Sequence, residues 1–244
     1  MNVVIIGGTS GVGLGLAKHY LRSGHQVVIC GRDISKVPQD LITKSLSMMS
    51  LDVSKPNDII AFFNTLNNQP IDMLIYCAGK YFNERRWKLS LDEQKEMEAV
   101  NATGFRHCFD LAANRMITQG HGHLVTIASI AGLVNSSSPT LYSHLKAQMI
   151  IQGQAYAQRF ASYGIKVTVI APGYINTQKL RDLNDGDASH KPFLLEESHA
   201  VKRIITAIEK EKQLVIFPLR MKWLIHLLNC LPSHFISKIL KTRR

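Results

Sequence analysis

A chain of 244 residues, 45% hydrophobic and 19% charged, can bury a large core, and this composition excludes extended disorder. The net charge of +11 favours anionic partners, but the basic residues are dispersed except near the C-terminus and no nucleic-acid motif accompanies them, so specific nucleic-acid binding is not expected. Cys30, Cys77, Cys108 and Cys230 lack the close pairing of a zinc or redox motif, and the apolar run after Met1-Asn2 is too short for a secretory signal; reduced thiols and a cytoplasmic location follow.

Taken in chain order, short β-rich runs alternate with longer helical patterns. Strands are predicted over residues 3–6, 26–30, 45–51, 72–77, 123–128, 166–170 and 213–217. Helical stretches are predicted over 14–23, 57–67, 91–116 and 141–163, long enough for crossovers that cover both faces of a parallel sheet. The expected fold class is α/β: residues 1–244 as a single doubly wound, Rossmann-type parallel sheet of about seven strands, whose ligands bind beyond the carboxyl ends of the strands.

The first strand runs into Gly7-Gly8-Thr9-Ser10-Gly11-Val12-Gly13 and then a helix beginning near Val12. Gly7, Gly11 and Gly13 allow a tight turn and close backbone approach to a pyrophosphate, which the helix N-terminus attracts; Thr9, Ser10 and Val12 share that turn. Gly15 reads as a helix-packing position. After the second strand, where an NAD site commonly holds an acid, the chain reads Cys30-Gly31-Arg32. Arg32 suits a 2′-phosphate, so NADP(H) is expected over NAD(H), with Asp33 as the residue that would favour NAD(H) if it faced the ribose.

Tyr142 and Lys146 stand four residues apart in Tyr142-Ser143-His144-Leu145-Lys146, on one face of a predicted helix. There the ammonium is expected to lower the phenol's pKa so that it exchanges a proton near neutral pH. His121 and His123 flank Gly122 at a strand start, where surface placement is expected, and no metal site is predicted.

The ordered series of these motifs over nearly the whole chain resembles the short-chain dehydrogenase/reductase family. It comprises the glycine turn, Asp52-Val53 after the third strand, Cys77-Ala78-Gly79 after the fourth, Asn101, Ser129, Tyr142 with Lys146, and Pro172-Gly173 with Ile175 and Thr177. The resemblance implies Tyr142 as proton donor or acceptor, Lys146 as its tuner and holder of the nicotinamide ribose, Ser129 as the hydroxyl that orients the substrate oxygen, and Asn101 as organiser of a proton path with the lysine. It assigns Asp52 and Val53 to the adenine, Ala78 and Gly79 to close backbone passage of the cofactor, and Pro172, Gly173, Ile175 and Thr177 to the segment that meets the nicotinamide carboxamide. Two positions depart from the family pattern: Ile6 replaces a threonine and Cys77 an asparagine, so two supporting hydrogen bonds must be replaced or absent. The implied reaction is reversible hydride transfer between nicotinamide and a carbonyl or alcohol substrate. A homo-oligomer, dimer or tetramer, is expected.

Residues 178–199 break the alternating rhythm and read as a substrate flap. Residues 219–244 carry apolar residues at helical spacing with Arg220, Lys222, Lys238, Lys241, Arg243 and Arg244 and no acid. Such faces first indicate packing on protein, and second a peripheral membrane contact. Two alternatives to a soluble reductase stand beside it: an idle NADP-binding regulator, and a membrane-surface reductase of lipid-derived carbonyls.

Overall fold

The computed structural model describes residues 1–67, 69–84 and 87–242, excepting the side chains of 240–242; Arg243 and Arg244 of the basic tail, and the side chain of Lys241, lie outside the described residues. Seven parallel strands form the sheet: β1 (Asn2–Ile6), β2 (Gln26–Gly31), β3 (Leu46–Ser50), β4 (Met73–Tyr76), β5 (Gly122–Ile127), β6 (Ile165–Pro172) and, numbered later in the chain, β9 (Leu214–Phe217). Their order is β3-β2-β1-β4-β5-β6-β9. A strand buried on both faces must be apolar on both, which is why β1 reads as a continuous Val-Val-Ile-Ile run rather than an alternation.

Successive side chains of β1 serve different layers. Val3 and Ile5 pack with α1 (Gly11–Arg22) and α7 (Glu197–Glu209), whereas Val4 and Ile6 pack with α2 (Pro56–Thr65), α4 (Phe105–Gln119) and α5 (Leu141–Phe160). Helices therefore cover both faces. Sequence order reverses at β1, which has β2 on one side and β4 on the other, and this switch point opens a crevice beyond the strand ends. Gly7 must fit that crevice: it has φ +80, and a Cβ there would lie 2.7 Å from the Ala78 nitrogen.

Three sequence expectations change in detail. The single helix expected over 91–116 is α3 (Leu91–Glu98), a π-helical turn at Ala99–Gly104 and α4. Apolar periodicity on either side of one wide turn hardly differs from that of an unbroken helix. The stretch 178–199 holds α6 (Gln178–Asp182), β8 (Leu195–Glu196) and the first turn of α7, and β8 pairs with β7 (Ile175–Asn176) in a separate two-stranded sheet. His123, expected at the surface, is buried with its Nε2 2.8 Å from Thr168 Oγ1 on β6, and burial takes its pKa down to about 4. A partner 45 residues away makes that burial possible.

Gly15 is where α1 meets α7: a Cβ would stand 2.6 Å from Val201 Cγ2. Gly15→Ala gains about 1 kcal/mol of helix propensity but overpacks this contact by about 1–3 kcal/mol. A net loss in urea unfolding is expected, and adding Val201→Ala should recover it; purely additive losses in the double variant would place the strain elsewhere.

Candidate active site

Each catalytic candidate is held by the end of a regular element. β5 delivers Ser129 to the start of a 3-10 turn, Ile130–Leu133, where its Oγ accepts from the Ala131 N–H at 3.1 Å. The Thr140 side chain caps α5 by accepting from Ser143 N at 3.1 Å, setting Tyr142 and Lys146 in the first two turns. Tyr142 is half-buried and meets Tyr81 edge-on with ring centroids 4.9 Å apart.

Lys146 is only 3% exposed. Its Nζ donates to Ile127 O at 3.4 Å, lies 3.2 Å from Met149 Sδ and stands 5.7 Å from the Tyr142 ring centroid. Burial, with repulsion from Lys179, draws its pKa down to about 7 despite an opposing contribution from Cys77. The phenol is pushed up to about 12 by burial, against the Ser129 hydrogen bond, with Tyr81 and Tyr174 adding to the rise. The expectation that Lys146 lowers the phenol's pKa is therefore corrected for these residues by themselves: burial outweighs the other influences and each charged form is disfavoured.

Asn101 sits in the π-helical turn, fully buried. Its Nδ2 donates to Met97 O at 2.9 Å and Lys80 O at 2.7 Å, while Tyr76 donates to Val100 O at 2.6 Å. Two side chains thus supply bonds to carbonyls that the wide turn leaves out of a regular ladder. Asn101 Oδ1 has no hydrogen-bond partner among the described residues and lies 3.5 Å from the Cβ position of Gly79; Lys146 Nζ lies 3.6 Å from the same point. Acceptor and ammonium therefore converge above Gly79.

The loops after β1, β4 and β6 close around the crevice. Thr177 Cγ2 lies 3.6 Å from the Cβ position of Gly11, and Lys179 Nζ crosses to Gly79 O at 2.6 Å. Thr177 also caps α6, and Gly173 N donates to Phe217 O at 2.7 Å, anchoring the strand end after Pro172. Ser10 is the N-cap of α1 without a side-chain cap bond, and the first turn of α1 has no acid. A helix N-terminus with no side-chain cap and no acid, a Gly7–Ala78 approach too tight for a side chain and the orphan Asn101 acceptor fit a dinucleotide. The Val53 side chain is buried in one core layer, and Val12, partly buried, packs against the other.

Arg32 is 62% exposed at its side chain, and its Nη1 lies 3.2 Å from Glu96 Oε1; Lys80 Nζ reaches the same oxygen at 2.8 Å. Asp33 is engaged with its own loop, accepting from Ser35 N at 3.0 Å and Ser35 Oγ at 2.6 Å. At the end of β3, the Asp52 carboxyl is held below its usual range despite partial burial, by the Ser54 hydroxyl and N–H and then Arg32. Glu96, Lys80 and Lys179 escaped the sequence reading. Lys80 adjoins Gly79 and could have been noticed, but Glu96 and Lys179 carry no local motif.

Fold and site together define a Rossmann-like α/β oxidoreductase. The model of the short chain dehydrogenase family matches residues 1–188, and the chain belongs to that family. An uncharacterized oxidoreductase of Staphylococcus aureus (strain MRSA252) is 28% identical over 214 residues, covering 86% of this chain and 91% of that protein. Among solved structures, a short-chain dehydrogenase from Sphingobium yanoikuyae in complex with NADPH superposes with a TM-score of 0.80 at 22% identity, covering 91% of this chain and 90% of that one. The closed form of a serine dehydrogenase complexed with NADP+ gives 0.80 at 21% identity, covering 90% and 96%.

The Lys146 ammonium should be charged below about pH 7 and neutral above it in the protein without cofactor. Carbon-13 shifts of labelled lysine should show one midpoint near 7 that disappears in Lys146→Met. A Lys146 midpoint near the ordinary lysine value of about 10 would contradict the burial described here.

Proposed function

We propose that this chain is an NADP(H)-dependent reductase of a small-molecule carbonyl, able to run the reverse alcohol oxidation. The observation that carries the reading is the convergence of Lys146 Nζ and Asn101 Oδ1 above Gly79, with the Tyr142 ring 5.7 Å from the ammonium and Ser129 at the end of the neighbouring strand β5. When bound, the nicotinamide supplies or takes up the hydride. The chain's residues handle the oxygen: Ser129 orients it, and Tyr142, protonated at neutral pH, donates a proton as negative charge develops there. Lys146, charged below about pH 7, stabilises the phenolate left behind, and Asn101 Oδ1 offers an acceptor beside the ammonium for returning a proton. The completeness of this set favours chemistry over a regulator that only binds nucleotide.

NADP(H) is preferred in this reading because Arg32 stands at the end of β2 with no carboxylate aimed at a ribose, Asp33 being turned to Ser35. Lys80 adds a second cation on Glu96. Two proteins of the same fold carry NADPH or NADP+, which supports a nicotinamide dinucleotide in this crevice.

Oxidation of NADPH, and of NADH beside it, across a panel of aldehydes and ketones tests the function; failure of every carbonyl with bound NADPH would reject it. Tyr142→Phe should lower kcat about 10²- to 10⁴-fold while retaining NADPH affinity, since the ring remains and the transferable proton is lost. Turnover near wild type would remove the phenol from its role.

Glu96 occupies the cations that a 2′-phosphate would use. Glu96→Gln should therefore tighten NADPH up to about fivefold at low salt, the scale of an exposed ion pair, with little effect on NADH. Arg32→Ala should weaken NADPH more than NADH. Equal changes for both nucleotides, measured by fluorescence titration, would make this cluster structural.

A further inference from the structure

The last two helices, α8 (Leu219–Asn229) and α9 (Ser233–Thr242), carry apolar residues on two faces, and only one meets the protein. On the inner face Met221, Ile225 and Ile236 are buried, the first two against Ile130 with Leu133, Val134 and Ile216 beside them. Polar bonds fasten this side: Asn229 Nδ2 donates to Leu133 O at 2.8 Å, and Ser237 Oγ lies 2.9 Å from Ser136 Oγ and 2.8 Å from Ser137 Oγ. The inner face thus accounts for the packing expected of such helices. It leaves the outer face unexplained.

There Leu219, Trp223 and Leu227, spaced four residues apart, are 61%, 64% and 64% exposed. Leu231 continues the exposure at the bend, and Phe235 and Ile239, again four apart, are 50% and 39% exposed on α9. Exposed Arg220, Lys222 and Lys238 accompany these residues, and residues 219–244 include no Asp or Glu. We propose that this outer face docks the protein on an anionic lipid surface, with α8 and α9 lying in the headgroup layer.

Three observations select that occupant. A tryptophan and large aliphatic residues at helical spacing, bordered by cations, match the chemistry of an interfacial helix, where rings settle at headgroup depth and ammonium or guanidinium groups meet phosphates. No helix among the described residues is long and apolar enough to cross a bilayer, so the contact lies on the surface. A second copy of this chain fits less well. A two-fold contact would set the same cation-bearing face against itself, and residues 219–244 have no carboxylate side chain with which to pair across it.

The test uses the full chain with vesicles of phosphatidylcholine alone or mixed with phosphatidylglycerol. In a Trp87→Phe background, emission reports Trp223 alone; it should shift to the blue with the anionic vesicles, and the protein should sediment with them. High salt should weaken binding, and Arg220→Gln with Lys222→Gln should lower partitioning about fivefold for each charge removed. Trp223→Ser with Leu227→Ser should abolish the shared sedimentation while leaving thermal melting and NADPH affinity unchanged, because both side chains project outward. Absence of binding to anionic vesicles, equal binding by these variants, or concentration-dependent self-association that the serine variant dissolves would overturn the proposal. Carbonyl reduction is scored separately, so failure of the redox reading leaves the vesicle result intact.

Discussion

An ammonium buried in the protein interior is the constraint on which the site depends. Lys146 has lost nearly all contact with water, and its described partners are a carbonyl at 3.4 Å and a thioether at 3.2 Å, weak substitutes for hydration. The surroundings answer in a graded way. Asn101 Oδ1 is left open on the same side of Gly79, Tyr142 keeps its proton, and the strongest single response is that Lys146 itself becomes easy to neutralise. Burial drives the two groups apart: near neutral pH the phenol holds its proton while the ammonium can give its own up.

The nucleotide end follows a different electrostatic logic. Arg32 and Lys80 share one carboxylate oxygen of Glu96, while Lys179 reaches from α6 to the Gly79 carbonyl. Desolvation, then Lys80 and Arg32, depress the Lys179 ammonium. Cations from two loops and from α6 are thus gathered at the crevice around Glu96, and a phosphate entering there would relieve repulsion as well as make bonds.

The strands and the glycine turn are legible in sequence because a parallel sheet demands unbroken apolar runs and the β1–α1 turn leaves no room for side chains. Tyr142, Lys146, Ser129 and Asn101 are legible as a family pattern. The electrostatics of the pair are not, since each shift is set first by burial in the folded chain and then by groups distant in sequence, Lys179 for the ammonium and Tyr81 and Tyr174 for the phenol. His123 shows the same limit in the core: its local pattern reads as a strand start, and only Thr168 on the neighbouring strand makes a buried imidazole acceptable. The two faces of α8 and α9 were visible as spacing, but which of them would be covered depended on where β5 and its following turn lie.

The wide turn at Ala99–Gly104 has a consequence for how this chain can change. Relative to a regular helix it holds one surplus residue, and each residue added or removed swings everything beyond it by ~100° around the helix axis. Deleting a residue there would regularise the ladder and free Asn101 and Tyr76 from serving the Met97 and Val100 carbonyls, yet it would rotate either α4 out of its layer or Asn101 out of the crevice. A change of length in this stretch therefore carries a geometric cost even where individual side chains are replaceable, because it alters which faces of α3 and α4 look into the crevice and the core.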